Sequence, residues 1–147
     1  MQVSSPEKIL IGSNFKSYGQ IFLYADNGSI LIGDSVSCNS NVFIGSSGGH
    51  ISIGNNVLIG PNVVLRSSSH CYSRLDVPIN QQGHKPGVIL IEDDVWICAN
   101  VTIVPNVSVG RSSIVTPGST VTKNVPPFSV VGGVPAVHLF YRDGYSR

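Results

Sequence analysis

Residues 91–126 divide into six consecutive hexads without a gap, and this repeat constrains the fold more than any other feature of the chain. The first positions are Ile91, Ile97, Ile103, Val109, Val115 and Val121. The fifth positions are Val95, Val101, Val107, Ser113, Ser119 and Val125. The fourth positions, Asp94, Asn100, Asn106, Ser112, Gly118 and Asn124, are residue types that tolerate left-handed or hydrogen-bonded turns. A period of six fits neither an amphipathic helix nor an alternating strand. It fits a coil with three short faces, one hexad per face, whose first-position aliphatic side chain points inward. Successive coils then stack their backbone hydrogen bonds and their aliphatic ladders.

The N-terminal half carries the same repeat with a regular defect. Ile11-Gly12, Ile32-Gly33 and Ile53-Gly54 each open a hexad, and they lie 21 residues apart. Each interval is three hexads plus three extra residues. The extras fall in Asp26–Leu31 and Gly48–Ser52, on one corner of consecutive coils. Bulges along one edge and tolerated surface loops both fit them. The phase breaks between Arg66 and Gly87, a polar stretch that holds His70, Cys71, Tyr72, Arg74, Asp76, His84 and Lys85. A long loop inside a compact repeat is more often functional than decorative. After Val125 come Pro126-Pro127 and a second turn at Gly132-Gly133-Val134-Pro135, then a tail that caps the last coil. The pattern predicts an all-β fold, a left-handed parallel β-helix in one domain over 1–147. Its coils run over about 9–65 and 88–126, with an extruded loop at 66–87 and a cap at 127–147.

Composition narrows the function. With 147 residues, 41% hydrophobic and 12% charged, the chain is too apolar for disorder. A net charge of +1 carries no footprint of a nucleic-acid partner. No apolar run reaches the length of a transmembrane helix, and the first eight residues do not form a signal peptide. A cytoplasmic location is therefore expected. Cys38, Cys71 and Cys98 form no C-x-x-C pair and read as reduced thiols, with no metal site expected.

Several segments together resemble the hexapeptide acyltransferases, in particular the branch of maltose, galactoside, nodulation-factor and polysaccharide-related sugar O-acetyltransferases. They are Ile53-Gly-Asn-Asn-Val-Leu-Ile-Gly-Pro-Asn62, Asp94-Val-Trp-Ile-Cys-Ala-Asn100, Val121-Thr-Lys-Asn-Val-Pro-Pro127 and Gly132-Gly-Val-Pro-Ala136. The resemblance implies a homotrimer with active sites between subunits and acetyl-CoA running along the coils. A thin prism with an aliphatic flank and little core of its own also favours lateral packing. The resemblance further implies a general-base histidine at the start of a loop, here His70 in Leu65-Arg-Ser-Ser-Ser-His70. Cofactor contacts are implied at Trp96, Cys98, Ala99 and Pro117, and at Thr122, Lys123 and Arg142; an interface aromatic is the alternative for Trp96, and a surface lysine on a turn for Lys123. A backbone N–H near Cys98 or Ala99 is the implied oxyanion donor.

Some features depart from the family. The coils begin by Ile9 to Ile11 without the helical segment of the maltose and galactoside enzymes, which argues against those sugars as acceptors. Trp-Ile-Gly has become Trp96-Ile97-Cys98. Val137 stands where a basic residue usually follows Gly-x-Pro-Ala, so Lys123 or Arg142 is expected to meet the CoA phosphates.

Acetyl transfer to an alcohol needs a base, and histidine titrates near neutrality. His70 is the candidate base for direct transfer, without an acyl-enzyme at the neighbouring Cys71. His84 is a second candidate, or a loop residue that meets acceptor or solvent. Asn39 and Asn41 share a corner and resemble acceptor contacts of relatives; solvated turn residues are the alternative. Arg74 and Asp76 either grip a polyhydroxylated acceptor or form a surface ion pair. His50 lies at a bulge corner and either lines an acceptor pocket or faces solvent, and His138 reads as structural. The leading reading is an O-acetyltransferase for a sugar of a surface polysaccharide or its precursor. An aminosugar-nucleotide N-acetyltransferase is the alternative, and a non-catalytic binding module is a third.

Overall fold

A computed structural model describes residues 1–145. The chain winds into a left-handed β-helix with three parallel sheets, one per face. Face one stacks Gln2–Ser4, Ile21–Tyr24, Val42–Gly45, Val64–Arg66, Thr102–Ile103 and Thr120–Val121. Face two stacks Ile9–Ile11, Ser29–Ile32, His50–Ile53, Val88–Ile91 and Val107–Val109. Face three stacks Lys16–Ser17, Ser37–Cys38, Leu58–Ile59, Trp96–Ile97, Ile114–Val115 and Ser129–Gly133, and Ala136–Tyr141 closes it by pairing antiparallel with Ser129–Gly133. The winding begins at Gln2, which pairs with Phe22, and so precedes the expected start at Ile9. It also runs past 126, because Val130 and Val131 still pair in parallel with Ile114 and Val115. Positions 146 and 147 of the expected cap lie outside the described residues.

The hexad explains the core. All six first positions of residues 91–126 are buried, and so are all six fifth positions. Two residues per hexad therefore point inward, one more than the first-position rule anticipates. The fourth positions turn the corners: Asp94, Asn100, Asn106, Ser112 and Gly118 have positive φ, and Asn14, Asn41, Asn56 and Asn62 do the same in the earlier coils. Asn and Asp bear this conformation at low cost because their short polar groups bond locally.

Between faces three and one the corner is uniform. Asn41 Nδ2 donates to Asn62 Oδ1 (2.9 Å), and Asn62 Nδ2 donates to Asn100 Oδ1 (3.0 Å). Between faces one and two the corner is widened. The three extra residues per coil bring in one more inward residue, Ala25, Ser46 and Ser67 in successive coils, each fully buried. The sequence places the extras on one corner, and the turns at Ala25–Gly28 and Ser46–Gly49 occupy it. Backbones approach so closely there that a side chain on Gly49 would strike the Gly87 carbonyl. The long loop leaves from the next turn of this same corner.

Candidate functional site

The loop is a hairpin standing on the widened corner. Ser68–His70 pairs antiparallel with His84–Pro86, with His70 directly opposite His84. Ser67 anchors one foot, its hydroxyl donating to the Ser46 carbonyl (3.0 Å). Gly87 anchors the other, accepting from the His50 N–H (3.0 Å). Beyond the hairpin, the Gln82 side chain ties the loop together. It accepts from the Arg74 N–H (3.0 Å) and donates to the carbonyls of Arg74 and Val77 (both 2.7 Å). Gln82 goes unnoticed in the sequence, because a single loop glutamine has no spacing signature.

His70 lines a cavity of about 440 Å³ with Ser69, Cys71, Tyr72, Ser73 and Lys85, and with Pro105 and Asn106 from the next coil. The imidazoles of His70 and His84 meet ring to ring, with centroids 4.2 Å apart. Arg74 forms its ion pair with Asp76 (Nε–Oδ1 3.1 Å), and the guanidinium holds the Asp76 carboxyl below its ordinary value. Thr122 and Lys123 lie on the same corner above the next turn. They line a groove of about 280 Å³ against Pro135–His138 of the closing hairpin. His50, at the foot of the corner, shares a 2.8 Å hydrogen bond between its Nδ1 and the Ser29 hydroxyl.

The other expected contacts lie elsewhere on the prism. Trp96 stands on the outer side of face three. In register with it run Lys16, Ser37, Leu58, Ile114, Val130 and Phe140, an outward row that is apolar from Leu58 onward. Trp96 and Leu58 are about half exposed (48% and 50%), and with Tyr18 and Asn39 they line a shallow groove. Ala99, Pro117 and Asn41 sit on the corner between faces three and one, and the Asn41 amide is engaged with Asn62. The Cys98 N–H donates to the Val115 carbonyl (3.0 Å), which commits it to the stack of coils. Burial pushes the Cys98 thiol up and the core thiol of Cys38 up to about 12. Arg142 lies on the third corner, bonded to Asp94 Oδ2 (3.3 Å) and the Ser112 carbonyl (3.0 Å). It is thus separated from Thr122 and Lys123, the other residues expected to meet the far end of CoA. His138 packs ring to ring on Tyr141.

Among the described residues no group of three His, Cys, Asp or Glu is arranged to hold a metal, and no helix is long and apolar enough to cross a membrane.

A left-handed solenoid of hexads is the scaffold that the resemblance to hexapeptide transferases implies, and comparison with known proteins agrees. The family model "Bacterial transferase hexapeptide (six repeats)" matches residues 89–123. A hexapeptide-repeat-containing acetyltransferase from Vibrio cholerae is 36% identical, over 90% of this chain and 73% of that one, with a TM-score of 0.76. The same acetyltransferase has been solved in complex with acetyl-coenzyme A (33% identical, 91% and 68% covered, TM-score 0.66). A galactoside acetyltransferase in complex with coenzyme A is 31% identical over 92% of this chain and 66% of that one, with a TM-score of 0.75. A probable macrolide acetyltransferase from Lysinibacillus sphaericus is 48% identical over 50 residues, 34% of this chain and 28% of that protein. The chain belongs to the hexapeptide-repeat acetyltransferase family. The segments it matches span less than a third of the first curated relatives' own length.

Proposed function

We propose that the protein transfers an acetyl group from acetyl-CoA directly to a hydroxyl of a sugar, within a surface polysaccharide or its precursor, and that His70 is the general base. The observation that carries this reading is the exposed His70 ring on the first strand of an extruded hairpin. It lines a cavity on the same corner as Lys123, which forms no ion pair among the described residues. In the step proposed, the His70 imidazole takes the hydroxyl proton while the oxygen attacks the thioester carbonyl. The C–S bond then breaks, and the imidazolium returns its proton to the departing CoA thiolate. A histidine suits both halves because its two states are close in energy near neutrality. The proposed place of action is the cytoplasm.

The working unit in this proposal is a homotrimer. His70, Thr122 and Lys123 stand on one corner, while Trp96 and Asn39 stand on face three and Ala99 and Pro117 on the corner beside it. Face one separates the two sets within a chain, so a site that uses both draws one set from a neighbouring copy. Two exposed apolar surfaces favour that packing. One is the row through Leu58, Trp96 and Phe140; the other is the loop, where Leu75 is fully exposed and Tyr72 and Ile79 are largely so. Arg74 is left to its ion pair, and Asn39 is the acceptor contact of the neighbouring copy.

An acetyl-CoA thiol-release assay over a panel of sugars, nucleotide sugars and their amino counterparts tests the reading. His70→Ala is expected to lower kcat by about 10²–10⁴, the range for loss of a general base. Full activity in that variant removes His70 as base, and a preference for amino sugars makes the enzyme an N-acetyltransferase.

A further inference from the structure

We propose that His84 is a positioning residue for His70: the face of its imidazole fixes the plane in which the base presents its nitrogens. The inference rests on His70 being the base. The Cys71 N–H donates to the Gly83 carbonyl (3.0 Å), so the His70–His84 pair beside it falls at a non-hydrogen-bonded position of the hairpin. That is where opposed side chains approach most closely. Pro86, two residues further along, stands at the equivalent position, which asks for no N–H. The rings meet at 4.2 Å with a 39° tilt.

Two features make this contact more than a surface coincidence. An active-site imidazole is ordinarily oriented by a carboxylate or carbonyl on its second nitrogen. Among the described residues none forms a hydrogen bond to the His70 ring, and the only ring it meets is His84. The backbone also holds the partner in place: Gln82 ties the loop just before His84, and Gly87 is bonded just after Pro86. His84 is therefore delivered to His70 by a braced strand, although the side chain itself is exposed. The consequence concerns orientation alone. Without the opposing face, the His70 ring samples planes in which neither nitrogen points at the acceptor oxygen, and fewer bound complexes are in reacting geometry.

The test is steady-state kinetics on the intact protein with the acceptor found above, together with proton NMR of the His70 ring. His84→Ala is expected to lower kcat about tenfold with the KM for acetyl-CoA within about twofold, because orientation and not binding is lost. His84→Phe keeps a flat ring at the same position and is expected to restore kcat to within about threefold of the parent. The His70 ring protons are expected to move downfield in His84→Ala as the ring current is lost, whatever the activity. An unchanged kcat in His84→Ala, or a Phe variant as slow as the Ala variant, overturns the positioning role. Full activity in His70→Ala defeats the base assignment itself; loss of activity there with an indifferent His84→Ala defeats only the positioning role.

Discussion

Two corners of the same prism are built on different plans. The corner between faces three and one turns the same way in successive coils, with Asn41, Asn62 and Asn100 in left-handed conformation and their amides joined in a chain. The corner between faces one and two is widened in the earlier coils, opens into a hairpin after Arg66, and tightens again at Val104–Asn106. The first corner keeps the coils in register. The second takes in extra residues without breaking the stack, because Ser46, Gly48 and Ser67 still bond to the coil before them, and all the groups we assign to base chemistry stand there. A repeat scaffold can vary one edge when the other edges hold the stack.

The contrast predicts that damage to the narrow corner unfolds the protein, whereas damage to the wide corner disables it. The largest effect on stability is expected at Asn62→Val. A β-branched residue in left-handed conformation costs about 1–2 kcal/mol, and the two lost amide bonds add about 1 kcal/mol each. Urea denaturation should therefore show a loss of about 3 kcal/mol, and a loss below about 1 kcal/mol would mean the asparagine chain is ornamental. Replacing residues 72–82 by a short turn is expected to change stability by less than about 1 kcal/mol, since loop closure depends weakly on length. Activity should nevertheless vanish from the thiol-release assay. Retained activity would break the comparison. The smallest effect concerns the cysteines. Cys71 stands half-buried in the wide corner's cavity, whereas Cys38 lies in the core with its thiol pushed up to about 12. At mildly alkaline pH, alkylation followed by mass spectrometry is expected to mark Cys71 at once and Cys38 only in denaturant.

The sequence announced the corners and concealed the partnerships. The inward ladder was legible because burial imposes aliphatic side chains at fixed intervals, and the turns because few residues accept positive φ. The spacing of Ile11, Ile32 and Ile53 was enough to place the extra residues on one edge. The pairing of His70 with His84 was not legible, since it depends on the hairpin register, which no periodicity reports. The place of Arg142 was not legible for a related reason. Its distance along the chain from Lys123 says nothing of the antiparallel return of Ala136–Tyr141, which delivers it to the third corner beside Asp94. The first strand was missed because Gln2–Ser4 has no second hexad before it to mark a phase.

In the proposed homotrimer, each active site needs the wide corner of one copy and face three of another. Co-expressing a His70→Ala chain with a Trp96→Ala, Asn39→Ala chain, each inactive alone, tests it directly. Random mixing gives each site a one-in-two chance of an intact loop and a one-in-two chance of an intact face. Averaged over all trimers, mixed and unmixed, the co-expressed protein is therefore expected to recover about a quarter of the parental activity, and the mixed trimers alone about a third. No recovery, from chains that co-purify as mixed oligomers, would place the whole site within one chain and contradict the account.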